Sequence, residues 1–237
     1  AGPRNCGIHY AEQVRAHSRA LWRMGIPVDI VDEECDISGY KLVIAPMLYL
    51  LRAGFEEKLK AFVENGGTLI GTYHTGLVNE NDLCYLGGWP GAGLGEVFGL
   101  WHEDTDSLWD DEHNTLRLAD GREYGLKEIC ALIHPRGAQV LGAYGEDFYQ
   151  GEAALTVNQY GKGRAYYIAS FGEDALYRDL YQKLAGELSL KRALEELPPQ
   201  GVEACLRENG EVQYLFLQNF SGRQQQVSLP QGYASLE

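Results

Sequence analysis

The sequence predicts an α/β fold built on a doubly wound, mostly parallel sheet and followed by a small antiparallel β segment. Three observations carry that prediction. A strand, a helix and a strand follow one another within residues 40–91, an amphipathic helix precedes them, and adjacent prolines at 198 and 199 set off a final stretch that alternates in strand fashion.

In the central unit, Leu42, Val43, Ile44 and Ala45 form a short apolar run stopped by Pro46, the pattern of a strand buried on both faces and ending in a loop. Phe55, Leu59, Phe62 and Val63 recur at helical spacing, with Glu56, Glu57, Lys58 and Lys60 on the other face. Asn65, Gly66 and Gly67 tolerate the positive φ that stops a helix, and residues 68–73 read as a second buried strand. A βαβ unit of this size joins its strands by a crossover, so they are expected to run parallel with a right-handed connection.

Upstream, Val14, Ala20, Leu21 and Met24, with Trp22, mark an amphipathic helix over residues 9–24 that Gly25 ends. Residues 26–31, Ile-Pro-Val-Asp-Ile-Val, read as the next strand, with Pro27 favouring its start or a sheet edge. A doubly wound domain normally opens with a strand before its first helix. Only residues 6–10 are available for one here, so the domain is expected to be cut at its N-terminal edge.

Residues 77–114 read as loop-rich. Between Leu86 and Gly99 six glycines and Pro90 surround Trp89, a short helix is expected over 94–98, and an acidic run follows Trp101. Glycine-rich backbone around an aromatic suits a loop laid against another surface. Equally, Trp89 and Trp101 can cap their own domain, since tryptophan is usually well buried. From residue 116 to 168 short alternating runs broken by Asp120-Gly121, Arg136-Gly137 and Gly161-Lys162-Gly163 predict antiparallel strands, the last turn closing a hairpin. Leu176, Leu180, Leu184 and Leu188 then mark a helix over 173–190. After the Pro198-Pro199 linker, residues 202–229 predict three or so strands, too few to stand alone. The expected domains are therefore 8–197, α/β, and 201–237, a partial β domain.

The chain has 237 residues, 45% of them hydrophobic, enough for a sizeable core. With 34 acidic against 20 basic residues its formal charge is −14, which repels phosphate backbones and anionic lipid and argues against nucleic acid or membrane as partner. No apolar run reaches bilayer length and no signal-peptide pattern opens the chain, so a cytoplasmic protein is expected. Cys6, Cys35, Cys84, Cys130 and Cys205 are odd in number and scattered, as for reduced thiols.

Motifs for chemistry are sparse. The glycines of 87–99 match neither the dinucleotide nor the phosphate-loop pattern. Cys84 follows an acidic stretch without a strand-to-helix elbow, and reads as a plain thiol. His74 comes just after a buried strand, where open α/β sheets bind ligands, yet a hydrogen-bonded structural histidine fits as well. No histidine pair has metal-ligand spacing, so no metal is expected. The glutamate doublets at 33–34, 56–57 and 195–196 point about 100° apart on a helix and cannot face each other across a sugar. The sequon at Asn219 has no meaning in a cytoplasmic protein.

Several stretches resemble one family in order: residues 20–30, 39–46, Gly66-Gly67-Thr68-Leu69, Val78-Asn79-Glu80-Asn81-Asp82, Leu86-Gly87-Gly88-Trp89-Pro90-Gly91, and the hairpin 160–168. Together they are similar to the middle domain of glycoside hydrolase family 42 β-galactosidases, over roughly residues 9–190, with 202 onward resembling the start of that family's C-terminal β domain. The resemblance implies a flavodoxin-like or class I glutamine-amidotransferase-like domain that mediates trimerisation. Retaining hydrolysis of terminal β-D-galactosides would belong to a separate (β/α)8 barrel, so no catalytic residue carries over and no cofactor is implied. Where an amidotransferase places its elbow cysteine, residues 69–76 have none. The expected partner is therefore the chain itself, as a homotrimer, through the loop carrying Tyr85, Leu86, Trp89, Pro90, Leu94 and Val97. Two alternatives stay open: a hydrolase using Cys84 with His74 or His102, and a small-ligand site at the strand ends near Pro46 and His74.

Overall fold

The computed structural model describes residues 10–235. The described chain divides into two compact units, one of residues 31–176 with the start of the first helix through Val14, the other of 15–30 with 177 onward. Most of the short segment 6–10, all that is available for an opening strand, lies outside the described residues, as does Cys6, and Tyr10 begins a helix.

In chain order the elements are α1 (Tyr10–Trp22), β1 (Leu42–Ala45), β2 (Leu50–Leu51), α2 (Phe55–Glu64), β3 (Thr68–Thr72), β4 (Val78–Asn79), α3 (Leu94–Phe98), β5 (Leu100–Ser107), β6 (Asn114–Leu118), β7 (Glu123–Pro135), β8 (Gln139–Tyr144), β9 (Ala153–Tyr160), β10 (Gly163–Ile168), β11 (Ser170–Gly172), α4 (Asp174–Glu187), β12 (Val202–Glu208) and β13 (Gln213–Asn219).

The main sheet of the larger unit runs in the order β1-β3-β10-β9-β8-β6-β7-β11, with β5 also on β7, and β2 and β4 form a small second sheet. Its wound part is parallel: β1 and β10 flank β3, with Leu42 and Arg164 both opposite Thr68. The β9–β10 hairpin, closed at Gly161-Lys162 as the sequence predicts, switches the remainder to antiparallel. There β7 also bonds back to β9 at Ile133 and Ala153, so this half curls on itself. Glu128, at φ 65°, kinks β7 between the half that pairs with β6 and the half that pairs with β5.

Every residue of β3 is buried, and Leu69, Ile70, Tyr166 and Tyr167 form the centre of the core. Leu69 and Ile70 each contribute about 1.5–3 kcal/mol by leaving water. α2 lies on β3 and β10, burying Leu59, Phe62 and Val63. α3 lies on β9 and β10, where Phe98 meets Tyr167 edge to face at 5.2 Å. Gly71 makes that contact fit, because a Cβ there would stand 2.4 Å from the Phe98 ring.

The smaller unit pairs the later turns of α1 and α4. Ala16, Ala20, Leu21, Leu180 and Leu184 are buried, and His17 is enclosed with its ring 4.5 Å from Tyr177 and its Nδ1 on the Tyr181 hydroxyl. Gly25, at φ 68°, ends the helix, and its carbonyl accepts the Ala193 N–H at 2.8 Å. One face of the β12–β13 hairpin, through Ala204, Leu206 and Leu215, packs on Ala193 and Leu194.

Four local expectations differ from the structure. Residues 26–31 form no strand: the alternation is present, but no neighbouring ladder pairs with it, and Val28, Ile30 and Val31 are exposed. β1 is half-buried rather than buried on both faces, since among the described residues it pairs only with β3. The acidic run after Trp101 is strand β5, held by the ladder of β7. The last segment contains two strands, not three. Among the described residues no helix is long and apolar enough to cross a membrane, and Cys35, Cys84, Cys130 and Cys205 are free.

Candidate oligomerisation surface

Strand β3 delivers the chain to a laced turn at its carboxyl end. The Thr72 hydroxyl accepts the Met47 N–H at 2.7 Å, the Thr75 hydroxyl donates to the Thr72 carbonyl at 2.6 Å, and the Gly76 N–H reaches the Leu48 carbonyl at 2.7 Å. Within this turn His74 takes φ 63°, in the left-handed region that non-glycine residues seldom adopt. Its ring stands edge-on to Tyr73 at 5.3 Å. Burial first, and the neighbouring His102 second, push its pKa down to about 4, so it is neutral near pH 7.

His102 is buried on β5, with Nε2 at 2.7 Å from the Asp104 carbonyl and 2.8 Å from the Thr105 hydroxyl; burial lowers its pKa as well. Trp89 leans on it, ring centroids 5.8 Å apart, and the Trp89 carbonyl accepts the His102 N–H at 2.8 Å. Trp101 stacks on His134 at 4.6 Å, and His134 bonds Glu103 at 2.5 Å. Both tryptophans are thus half-buried against their own unit. Cys84 is exposed, and among the described residues no hydrogen bond joins it to His74 or His102. The pair needed for a cysteine hydrolase is not assembled.

The loop that leads into α3 separates the six contact candidates into two groups. Leu94 and Val97 are each 0% exposed, and Pro90 is buried too: α3 turns its apolar face onto β9 and β10, so these three belong to the domain's own core. Asn158 fixes that docking by donating to the carbonyls of Glu96 at 3.1 Å and Val97 at 2.9 Å. Tyr85 is half-buried over Gly91, where a Cβ would meet its ring at 2.3 Å. Leu86 is 99% exposed. Sequence reasoning missed its companions: Leu83, Tyr49 and Leu50 are also exposed. β2 runs parallel to one side of β4, with Leu50 opposite Val78, and Val78 bridges Cys84 on the other side, so the segments that carry this apolar set flank β4 in one small sheet. Tyr49 and Leu50 lie some thirty residues before the glycine-rich loop, and only the β2–β4 pairing unites them.

The profile of the β-galactosidase trimerisation domain matches residues 1–191, and that of the β-galactosidase C-terminal domain matches residues 201–236. The chain belongs to the β-galactosidase trimerisation-domain family. This trimerisation domain is 47% identical over 234 residues to β-galactosidase BglY of Alicyclobacillus acidocaldarius, a match covering 96% of the chain and 34% of the relative. It is 44% identical over 234 residues to β-galactosidase Pbg of Clostridium perfringens, covering 96% and 34%. Among solved structures it superposes on the β-galactosidase of Rahnella sp. R3 with a TM-score of 0.90 at 46% identity, covering 93% of this chain and 33% of that one. For Gan42B, a GH42 β-galactosidase from G. stearothermophilus, the TM-score is 0.87 at 43% identity, covering 90% and 31%. The chain therefore spans about a third of the length of the curated relatives it matches.

Proposed function

We propose that this chain is the self-associating, non-catalytic part of a cytoplasmic β-galactosidase that releases terminal β-D-galactosides with retention. The observation that carries the reading is the match of residues 1–191 to a domain named for trimerisation, in relatives named β-galactosidases. Retaining hydrolysis takes two opposed carboxylates about 5 Å apart, and that work falls to the part of the enzyme outside this match. Residues 8–197 act as the oligomerising body and 201–237 begin the C-terminal domain, without cofactor or metal.

The copies hold one another through the exposed apolar residues Tyr49, Leu50, Leu83 and Leu86 on the two segments that flank β4, with Tyr85 and Trp89 as the half-buried members of the same loop. Exposed apolar side chains on one small sheet are what an interface core requires. Light scattering of the full-length enzyme carrying Leu86→Asp tests this. Leu86 touches so little of its own unit that folding is unaffected, and the expected result is dissociation to monomers or dimers. A trimer that persists in Leu86→Asp and in Leu83→Asp removes this surface from the account.

A further inference from the structure

A groove of about 510 Å³ opens within the smaller unit, between residues 26–30 and the β12–β13 hairpin. Its volume lies in the range of small-molecule sites. The strand register explains its floor. Glu203 stands opposite Gln218 and Cys205 opposite Phe216, and with Arg207 these alternate positions share one face of the hairpin. The opposite face is the one packed on Ala193 and Leu194, so the groove face is left open.

Two aromatic side chains line this groove with their surfaces still in water: Trp22 is 51% exposed and Phe216 is 52% exposed. Between them come groups of every hydrogen-bonding kind. Asp29 and Glu203 accept, Arg207 donates, and Gln218 does both. Arg207 has no ion pair or hydrogen bond from its side chain among the described residues, so its five donors remain available.

This chemistry selects a ligand class. The Glu203 carboxylate beside Arg207, in a chain of net charge −14, disfavours an anion. A wholly apolar ligand would strip water from Glu203 and Arg207 without replacing its hydrogen bonds, at a cost. A cation would face Arg207, and among the described residues no cluster of three metal-binding side chains exists. What remains is a neutral molecule with flat C–H faces and a rim of hydroxyls, able to stack on Trp22 and Phe216 while its hydroxyls bond Glu203, Gln218 and Arg207.

We propose that this groove is a binding site for a neutral pyranose disaccharide or short oligosaccharide. It is formed entirely within the smaller unit and shares no lining residue with the contact surface proposed above. The test uses the 237-residue chain with lactose, and with cellobiose and maltose for comparison, read by saturation-transfer NMR and by tryptophan fluorescence. Saturable binding with a dissociation constant around 1 mM is expected for at least one of these sugars. Phe216→Ala and Glu203→Gln should each weaken it about tenfold. Phe148→Ala, which removes an exposed aromatic of the other unit, should leave it unchanged. Phe216 is half in water and Glu203→Gln keeps the side chain's shape, so neither substitution threatens folding. No saturable binding of any of the three sugars, or equal affinity in Phe216→Ala, Glu203→Gln and the unaltered chain, overturns the proposal. Because the oligomer is read separately by light scattering, either failure leaves the trimerisation reading where it stands.

Discussion

At Gly163 the chain passes so close to its neighbours that hydrogen is the only side chain with room. A Cβ there would lie 2.2 Å from both the Gly67 and the Val63 carbonyl oxygens, which are backbone atoms and cannot swing aside. Gly163→Ala is expected to lower stability by about 1–3 kcal/mol, measured by urea unfolding, as overpacking does elsewhere. Gly186, near the end of α4, meets nothing within 4 Å, so Gly186→Ala should raise stability by up to about 1 kcal/mol. The opposite signs separate close approach from simple helix preference. His17 supplies a pH dependence. Complete burial pushes its pKa down to about 3, whereas in the unfolded chain it titrates near 6.5. Between those values the unfolded state binds the extra proton, so the stability owed to neutral His17 is whole above pH 6.5 and drains away as pH falls toward 3. Replacing His17 by Gln should flatten the loss of unfolding free energy between pH 6 and 4 by about 1.4 kcal/mol per pH unit.

Among the elements, β3 and β10 should be the last to open. They are buried along their length and paired on both sides. Amide hydrogen exchange is therefore expected to be slowest at Leu69, Ile70, Tyr166 and Tyr167, and fast over residues 26–31 and 220–235, where no ladder protects the amides. Equal protection in both regions would refute this ranking. The same contrast explains what could be read in the sequence. α2, β3 and the β9–β10 hairpin are decided locally, by apolar spacing, by Gly66 and Gly161 at positive φ, and by Gly67 and Gly163 where a Cβ has no room. Residues 26–31 have the letters of a strand without a ladder to join. β5 shows the reverse: a register shift between His102 and Asp104 breaks its alternation, and His102 takes a buried position where a sequence pattern looks for an aliphatic residue. The proposed contact surface was legible to the same degree. Leu86 stands out as an apolar residue in a glycine-rich loop. Leu94 and Val97 carry the same composition, but their burial depends on where α3 docks. Tyr49 and Leu50 join the set only through a two-residue strand pairing.

For the whole chain, charge sets the terms of the proposed self-association. Each copy of these 237 residues carries a formal −14, so association through apolar side chains works against mutual repulsion. Added salt screens that repulsion, and the self-association constant should rise between low ionic strength and about 0.5 M sodium chloride, as followed by sedimentation velocity. An assembly held mainly by ion pairs would weaken instead. A different hazard follows from the small hairpin. β13 has no strand on its outer side among the described residues, and Tyr214 and Leu217 project from it into water. Such a flank is an unfinished hem. In a concentrated solution of this 237-residue chain the hem of one molecule is the readiest template for that of the next, so clouding would start there and not at the heart of the larger sheet.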